Sequence, residues 1–359
     1  MKKVISKVLA AGMAVSMTAA LGVAVNAEDT TYNIGICQLV QHPALDAATQ
    51  GFKDALTEKL GDQVVIDEQN ASGDSANCAT IVNQFVSNNV DLIMANATAS
   101  LQAAAAATGD IPILGTSITV YNVALDIPDE EWTGSTGTNI SGTSDLAPLD
   151  EQAAMFTELL PDAKTVGLLY CSAEPNSVYQ VDTVKAALEE AGVTCNVYTF
   201  ADSNDIASIT TTAAAECDAL YVPTDNTAAS NTEIINNICE PAGVPIIAGE
   251  EGICEGCGIA TLSISYYDIG YKTGEMAYEI LVNGADVSTM PIEFAPQFVK
   301  KYVPERCEAL GITIPEGYEA IGADAEEETE AAEGETEAAE ETEAAETEAV
   351  EETEAETEA

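Results

Sequence analysis

The stretch Gly35-Ile-Cys-Gln-Leu-Val-Gln-His-Pro-Ala-Leu-Asp46 decides the fold. Ile34, Ile36, Leu39 and Val40 make a short apolar run, the pattern of a strand buried on both faces. The run stops at polar Gln41 and His42. Pro43 cannot extend a strand, but its fixed φ suits the first turn of a helix. Residues 44–60 then carry Leu45, Ala48, Phe52, Ala55 and Leu56 on one helical face. The unit is strand, polar loop, helix, with the loop at the carboxyl end of the strand. In open α/β sheets small ligands bind at that edge, where helix N-termini and loop side chains converge.

Working outward, the unit recurs every 25 to 30 residues or so, the rhythm of a parallel sheet covered by helices. Strands are expected at 64–70, 91–97 and 111–115, and again at 165–171, 194–200, 219–223 and 244–248. Residues 121–148 break the rhythm, and 134–145 within them are rich in Gly, Ser and Thr. They match neither Walker nor G-x-G-x-x-G spacing and read as a crossover between two lobes. Polar clusters close the strands: Gln41-His42, Thr98 to Ser100 and Thr116-Ser117 in the first half, Asn176-Ser177, Asp225-Asn226 and Glu250-Glu251 in the second. The expected fold is α/β, two similar parallel-sheet, Rossmann-like lobes with a hinged cleft between them. Lobe one takes residues 28–143 and about 266–290; lobe two takes 144–265 and about 291–323.

The ends read differently. Lys2, Lys3 and Lys7, an apolar stretch over 8–25 and Val25-Asn-Ala27 make residues 1–27 an export signal. No Cys follows the cleavage site, so no lipid anchor is encoded there. Residues 324–359 hold 18 carboxylates and no Lys, Arg or aromatic residue, a composition that predicts a disordered Glu/Thr/Ala tail. The body keeps 43 acidic against 8 basic residues, which excludes nucleic acid as a partner, since phosphate binding needs clustered Lys and Arg. Of nine cysteines, Cys37, Cys171, Cys217 and Cys239 sit in apolar strand or helix contexts and read as small buried hydrophobes. Cys254-Glu-Gly-Cys257 lies in a predicted loop and suits a local disulfide or no bond at all.

Chemistry narrows the function further. His42 is the single imidazole and no G-x-S-x-G elbow is present, so an exported enzyme would have to use His42 as its base. No cofactor and no metal are expected, Glu250-Glu251 being a weak metal candidate. Asp225 and Asn226, at the mouth of a buried strand, suit a ligand ammonium, and equally suit helix capping. Thr98, Ser100, Thr116 and Ser117 offer hydroxyls and helix N-terminal N–H groups, a seat for a carboxylate or again caps. Together they describe an α-amino acid.

Several segments resemble bacterial ABC-transporter substrate-binding proteins of the aromatic amino-acid (tryptophan/tyrosine) type, similar in fold to type I periplasmic binding proteins. They are Gln41-His-Pro-Ala-Leu-Asp46 with Gly51-Phe52, Asp67-Glu-Gln-Asn70 with Gly73-Asp74, and Asn139-Ile-Ser-Gly-Thr-Ser-Asp145. Asn176-Ser177, Tyr221-Val-Pro-Thr-Asp-Asn226 and Tyr266-Tyr-Asp-Ile-Gly270 with Thr273-Gly-Glu-Met276 complete the set. The resemblance implies ligand contacts from Gln38, His42, Thr98, Ser100, Ser117, Asn176, Asp225 and Asn226, to which the strand-end cluster adds Glu250. It further implies an exported receptor, not an enzyme, that delivers an aromatic amino acid to ABC permease subunits in the membrane. A sugar or nucleoside receptor of the same fold is the alternative, with Tyr121, Trp132 and Tyr179 as stacking rings.

Overall fold

The computed structural model describes residues 31–322, so the leader at 1–27 and the acidic tail at 324–359 lie outside the described residues. The first half runs β1 (Tyr32–Gln38), α1 (Pro43–Leu60), β2 (Val64–Asn70), α2 (Ser75–Asn88), β3 (Leu92–Asn96), α3 (Thr98–Ala107), β4 (Ile113–Ile118), a short α4 (Tyr121–Ala124) and β5 (Ile140–Ser144). The second half runs α5 (Leu149–Leu159), β6 (Thr165–Cys171), α6 (Pro175–Glu190), β7 (Thr194–Phe200), α7 (Ile206–Glu216) and β8 (Ala219–Val222). It continues with α8 (Asn226–Ala229), α9 (Thr232–Ala242), β9 (Ile246–Ala248), α10 (Glu251–Cys257) and β10 (Ala260–Ser263). The chain ends with α11 (Tyr266–Leu281), β11 (Glu293–Phe294), β12 (Val299–Tyr302), α12 (Pro304–Ala309) and β13 (Glu319–Ala320).

These strands form two sheets. One is ordered β11-β5-β4-β3-β1-β2 and is parallel throughout. The other is ordered β13-β12-β10-β9-β8-β6-β7, with β12 the one antiparallel neighbour, paired to β10. Each lobe therefore places its first strand, β1 or β6, between its second and third, so the strand order reverses at β1/β3 and at β6/β8. Buried helix faces cover both sides of each sheet, as the near-continuous apolar strands require.

The return of α11 to lobe one depends on close helix packing. It lies along α1, where methyl groups at Gly270 or Gly51 would overlap the backbone oxygens of Ala48 and Tyr267. Gly274 faces Phe52 and Ala55 in the same seam. Gly270→Ala is expected to force the helices apart and cost about 2 kcal/mol, as overpacking does, measured by urea unfolding.

The structure departs from the sequence reading in three places. Residues 140–144, expected as crossover, form β5, and the crossing to lobe two is left to 145–148. β5 is buried yet has no apolar run, because hydrogen bonds satisfy its hydroxyls. Ser141 donates to the Met290 and Pro291 carbonyls, Ser144 donates to the Thr119 carbonyl, and the Thr143 hydroxyl lies 2.8 Å from that of Thr273. Residues from about 291 are expected in lobe two, but β11 first adds to the lobe-one sheet and the chain recrosses at 295–298. Finally, Cys254 and Cys257 sit on helix α10, and both thiols are free and buried. Glu250 caps that helix, while Gly252 and Gly256 hide it from a periodicity reading. Among the described residues no helix is long and apolar enough to cross a membrane.

Candidate functional site

Where strand order reverses, neighbouring loops diverge and leave a crevice at the carboxyl edge of the sheet. In lobe one that crevice is bounded by the loops after β1 and β3. Gln38 ends β1 and is fully engaged within its own lobe. Its Nε2 donates to the Val40 carbonyl at 2.9 Å and to Asp46 at 2.6 Å, and its Oε1 accepts from Thr49 at 2.6 Å. Ser100 is likewise internal, its hydroxyl between the thiols of Cys37 and Cys78 at 3.6 and 3.5 Å. These two residues shape the site from behind and offer it no free polar atom. Thr98 opens α3 after Ala97, whose φ of 84° turns the chain sharply, so the first-turn N–H groups stand at the strand edge. Ser117, at the end of β4 with φ 56°, is buried and its hydroxyl has no partner.

Lobe two is organised by a carboxylate that the sequence reading did not single out. Glu174, in the loop after β6, is nearly buried and accepts from the backbone and side-chain nitrogens of Asn226 (2.9 and 2.7 Å). It accepts also from the Thr227 backbone and hydroxyl (2.9 and 2.7 Å) and from Asn176 Nδ2 (3.3 Å). Asp225 is fully occupied too: it accepts from the Cys171 N–H, the Ser177 hydroxyl and the Ala228 N–H, and so caps α8. Burial, with the nearby Glu174 charge, raises the Asp225 pKa despite those donors. The Asn176 amide is oriented by the Thr224 carbonyl, which can only accept from its Nδ2 at 2.9 Å, so its buried Oδ1 is left unpartnered.

The same logic fixes a tautomer. Glu174 can only accept, so Asn226 turns its Nδ2 to Glu174 and its Oδ1 toward His42. His42 Nε2, 3.3 Å from that oxygen across the lobe boundary, must then carry the proton. Nδ1 is left with a bare lone pair, buried and without a partner. Burial lowers the His42 pKa, opposed by the Asn226 bond and the charges of Glu174 and Asp46, so the ring is neutral. Its single contact of this kind is an amide, not a hydroxyl or thiol nucleophile.

A second cross-lobe group lies at the crossings. Tyr266 donates to Asp145 at 2.9 Å, and the other Asp145 oxygen is buried and unpartnered. Burial raises the Asp145 pKa against the bonds from Thr119 and Tyr266. Glu250 does not converge with Glu251. It caps α10 by accepting from the Gly252 and Ile253 N–H groups, whereas Glu251 pairs with Lys301 at 2.7 Å. Among the described residues no cluster of three or more His, Cys, Asp or Glu is placed to hold a metal.

Five buried polar atoms at the strand ends thus lack partners: His42 Nδ1, Asn96 Oδ1, Ser117 Oγ, Asp145 Oδ1 and Asn176 Oδ1. Native interiors rarely leave such atoms unmatched without a ligand or water in view. Two cavities are lined by residues of both lobes, and none of these five residues is among those lining them. One, about 370 Å³, runs between Val40, Gly73 and Ala99 of lobe one and Glu174, Asp202 and Asn226 of lobe two. The other, about 340 Å³, lies between Pro43 and Ala47 of α1 and Glu250, Glu255 and Tyr266. The rings considered for stacking on a sugar are all packed inward: Tyr121 and Trp132 against the lobe-one core, Tyr179 against the lobe-two core.

The whole body matches known proteins. Residues 33–327 match the family model for ABC transporter substrate binding protein. A tyrosine-binding protein of Clostridioides difficile strain R20291 is 38% identical over 263 residues, covering 72% of this chain and 75% of its own. An ABC domain from Streptococcus pneumoniae in complex with L-Trp is 34% identical, with TM-score 0.77 over 81% of this chain and 100% of that one. The ligand-free, open structure of a substrate-binding protein with adhesive properties from Clostridium difficile is 38% identical, covering 81% and 99%, yet its TM-score is 0.62. The chain belongs to the family of ABC transporter substrate-binding proteins.

Proposed function

We propose that this protein is an exported receptor that closes its two lobes on one aromatic α-amino acid and hands it, chemically unchanged, to an ABC permease. The observation that carries the reading is the set of buried, unpartnered polar atoms contributed by both lobes at the carboxyl ends of the strands and at the crossing after β5. Ser117 and the first-turn N–H groups at Thr98 supply donors for the ligand carboxylate. His42 Nδ1, Asn176 Oδ1 and Asp145 Oδ1 supply acceptors for the ammonium. Asn226 links the lobes through His42, while Gln38, Ser100, Asp225 and Glu250 hold the loops in place. The L-Trp complex and the tyrosine-binding relative support an aromatic side chain. Hinge motion about the crossings at 145–148, 264–265 and 295–298 admits and releases the ligand.

The test is thermal unfolding of the chain from Glu28 to Ala323, against the twenty amino acids and a sugar panel. Tyrosine, tryptophan or phenylalanine is expected to stabilise it by about 4 kcal/mol at a thousandfold excess over Kd. Ser117→Ala removes a donor that is idle without ligand, so ligand-free stability should hold while affinity falls about tenfold, roughly 1.4 kcal/mol. Stabilisation by sugars alone would overturn the assignment.

A further inference from the structure

Beneath the lobe-one edge of the cleft two thiols meet. Cys37 is on β1, directly before Gln38, and Cys78 is on α2, one turn after its Asp74 cap. Both are completely buried, and both thiols lie against the same Ser100 hydroxyl, at 3.6 and 3.5 Å. Cys254 and Cys257 form no comparable pair. They stand three residues apart on α10, where Cβ atoms are held about 5–6 Å apart by the helix, beyond the roughly 3.5–4.5 Å that a disulfide needs. Cys37 and Cys78 come from different elements, so no helix holds them apart.

We propose that Cys37 and Cys78 are a disulfide-forming pair whose oxidation ties α2 to β1 under the ligand-facing loops of lobe one. The oxidant is a disulfide, RS–SR, whether a small molecule or an exported thiol oxidoreductase. Cys78, as thiolate, attacks one sulfur and releases the first RS⁻, giving a mixed disulfide. Cys37 then loses its proton and attacks the Cys78 sulfur, releasing the second RS⁻. The pair loses two electrons and two protons, and the oxidant leaves as two RSH. The roles follow from surroundings. The Cys78 pKa is lowered to about 7, chiefly by the Cys37 bond, while that same bond and burial raise Cys37. The attacking thiol is the one more readily ionised.

Access is governed by the cleft. Ser72, Gly73 and Ser75, which lead into α2, and Ala99, beside Ser100, line the 370 Å³ cavity opposite Ala201, Asp202, Asn226 and Asn231 of lobe two. Parting the lobes uncovers this surface. Oxidation is therefore expected to be faster in the open, ligand-free state, a point that rests on the proposed ligand, whereas the pairing itself does not.

The experiment uses the chain without residues 1–27, treated with oxidised glutathione, then denatured and alkylated. The expected product carries seven alkylated thiols of the nine, and peptide mapping joins Cys37 to Cys78. Cys78→Ser and Cys37→Ala should each abolish that peptide, and Cys254→Ser should retain it. The oxidised wild type should melt at higher temperature than the reduced form. Nine alkylated thiols, a stable glutathione adduct on Cys78, or a bridge joining other cysteines would overturn the proposal. Saturating tyrosine or tryptophan should slow the reaction at least several-fold. An unchanged rate, with the 37–78 peptide still forming, would leave the pairing standing and count against the ligand-gated access alone.

Discussion

Replacing Glu174 with alanine is expected to cost about 4 kcal/mol of stability and about a hundredfold in ligand affinity, with the glutamine variant losing about half as much stability. One carboxylate here receives five donors from three residues, and the Asn226 and Thr227 N–H groups have no other acceptor at that helix start. Hydrogen bonds to a charged group contribute about 1.5–3 kcal/mol each, and stranding a buried donor costs about 1–3; because the bonds share one group they do not simply add. Glutamine keeps one acceptor oxygen. Its NH₂ would turn to Thr227, where the hydroxyl can rotate to accept but the backbone N–H cannot. Affinity falls by a further route. Without Glu174 the Asn226 amide is free to flip, and the contact to His42 Nε2 across the lobes is lost. Urea unfolding reads the first effect and calorimetric titration the second. If Glu174→Ala melts and binds like the wild type, the loop-organising role is wrong.

Glu174 also shows what the sequence could and could not disclose. In a chain with 61 acidic residues a lone carboxylate carries little information, and its partners come from the end of a strand about 50 residues away. One signal was present: Glu174 stands just before Pro175, in the N-cap position of α6. The strand, loop and helix at 32–60 were legible because Ile34 and Ile36 are buried on one face of β1, Cys37 on the other, and Pro43 starts α1. β5 was not, because hydroxyls paired through hydrogen bonds replaced the apolar residues that a pattern needs. His42 and Asn226 were found as strand-end polar residues, and the structure joins them. Ser100 was grouped with Thr98 by proximity, yet Ser100 and Ala104, four apart, share the buried face of α3, which helical spacing alone could have separated.

The stability of Glu250→Gln relative to the wild type is expected to rise by about 2.5 kcal/mol between pH 5 and pH 8. Glu250 is buried at the start of α10, and burial pushes its pKa up to about 7 against the lowering effect of the Gly252 and Ile253 N–H groups; the charges of Glu251 and Asp145 push the same way as burial. The folded state thus holds the proton more tightly than the unfolded chain does. The resulting stability is complete below the ordinary carboxylate range and is lost as pH rises through about 7. A rise from 4.5 to about 7, at 1.36 kcal/mol per pH unit, corresponds to about 3.4 kcal/mol over the whole titration, of which about 2.5 falls between pH 5 and pH 8. Glutamine does not titrate, and its NH₂ cannot accept from one of the two N–H groups, a cost that is the same at every pH; the pH-dependent part of the difference therefore belongs to Glu250 alone and sets in as the unfolded wild type ionises. His42 contributes with the opposite sign, since its lowered pKa makes stability rise with pH up to the ordinary imidazole range. It is common to both proteins and cancels in the difference. Urea unfolding of both at pH 5, 6, 7 and 8 isolates the Glu250 contribution. A difference that stays constant across that range would mean that Glu250 is ionised throughout, with α10 and its N–H groups outweighing the cost of burial.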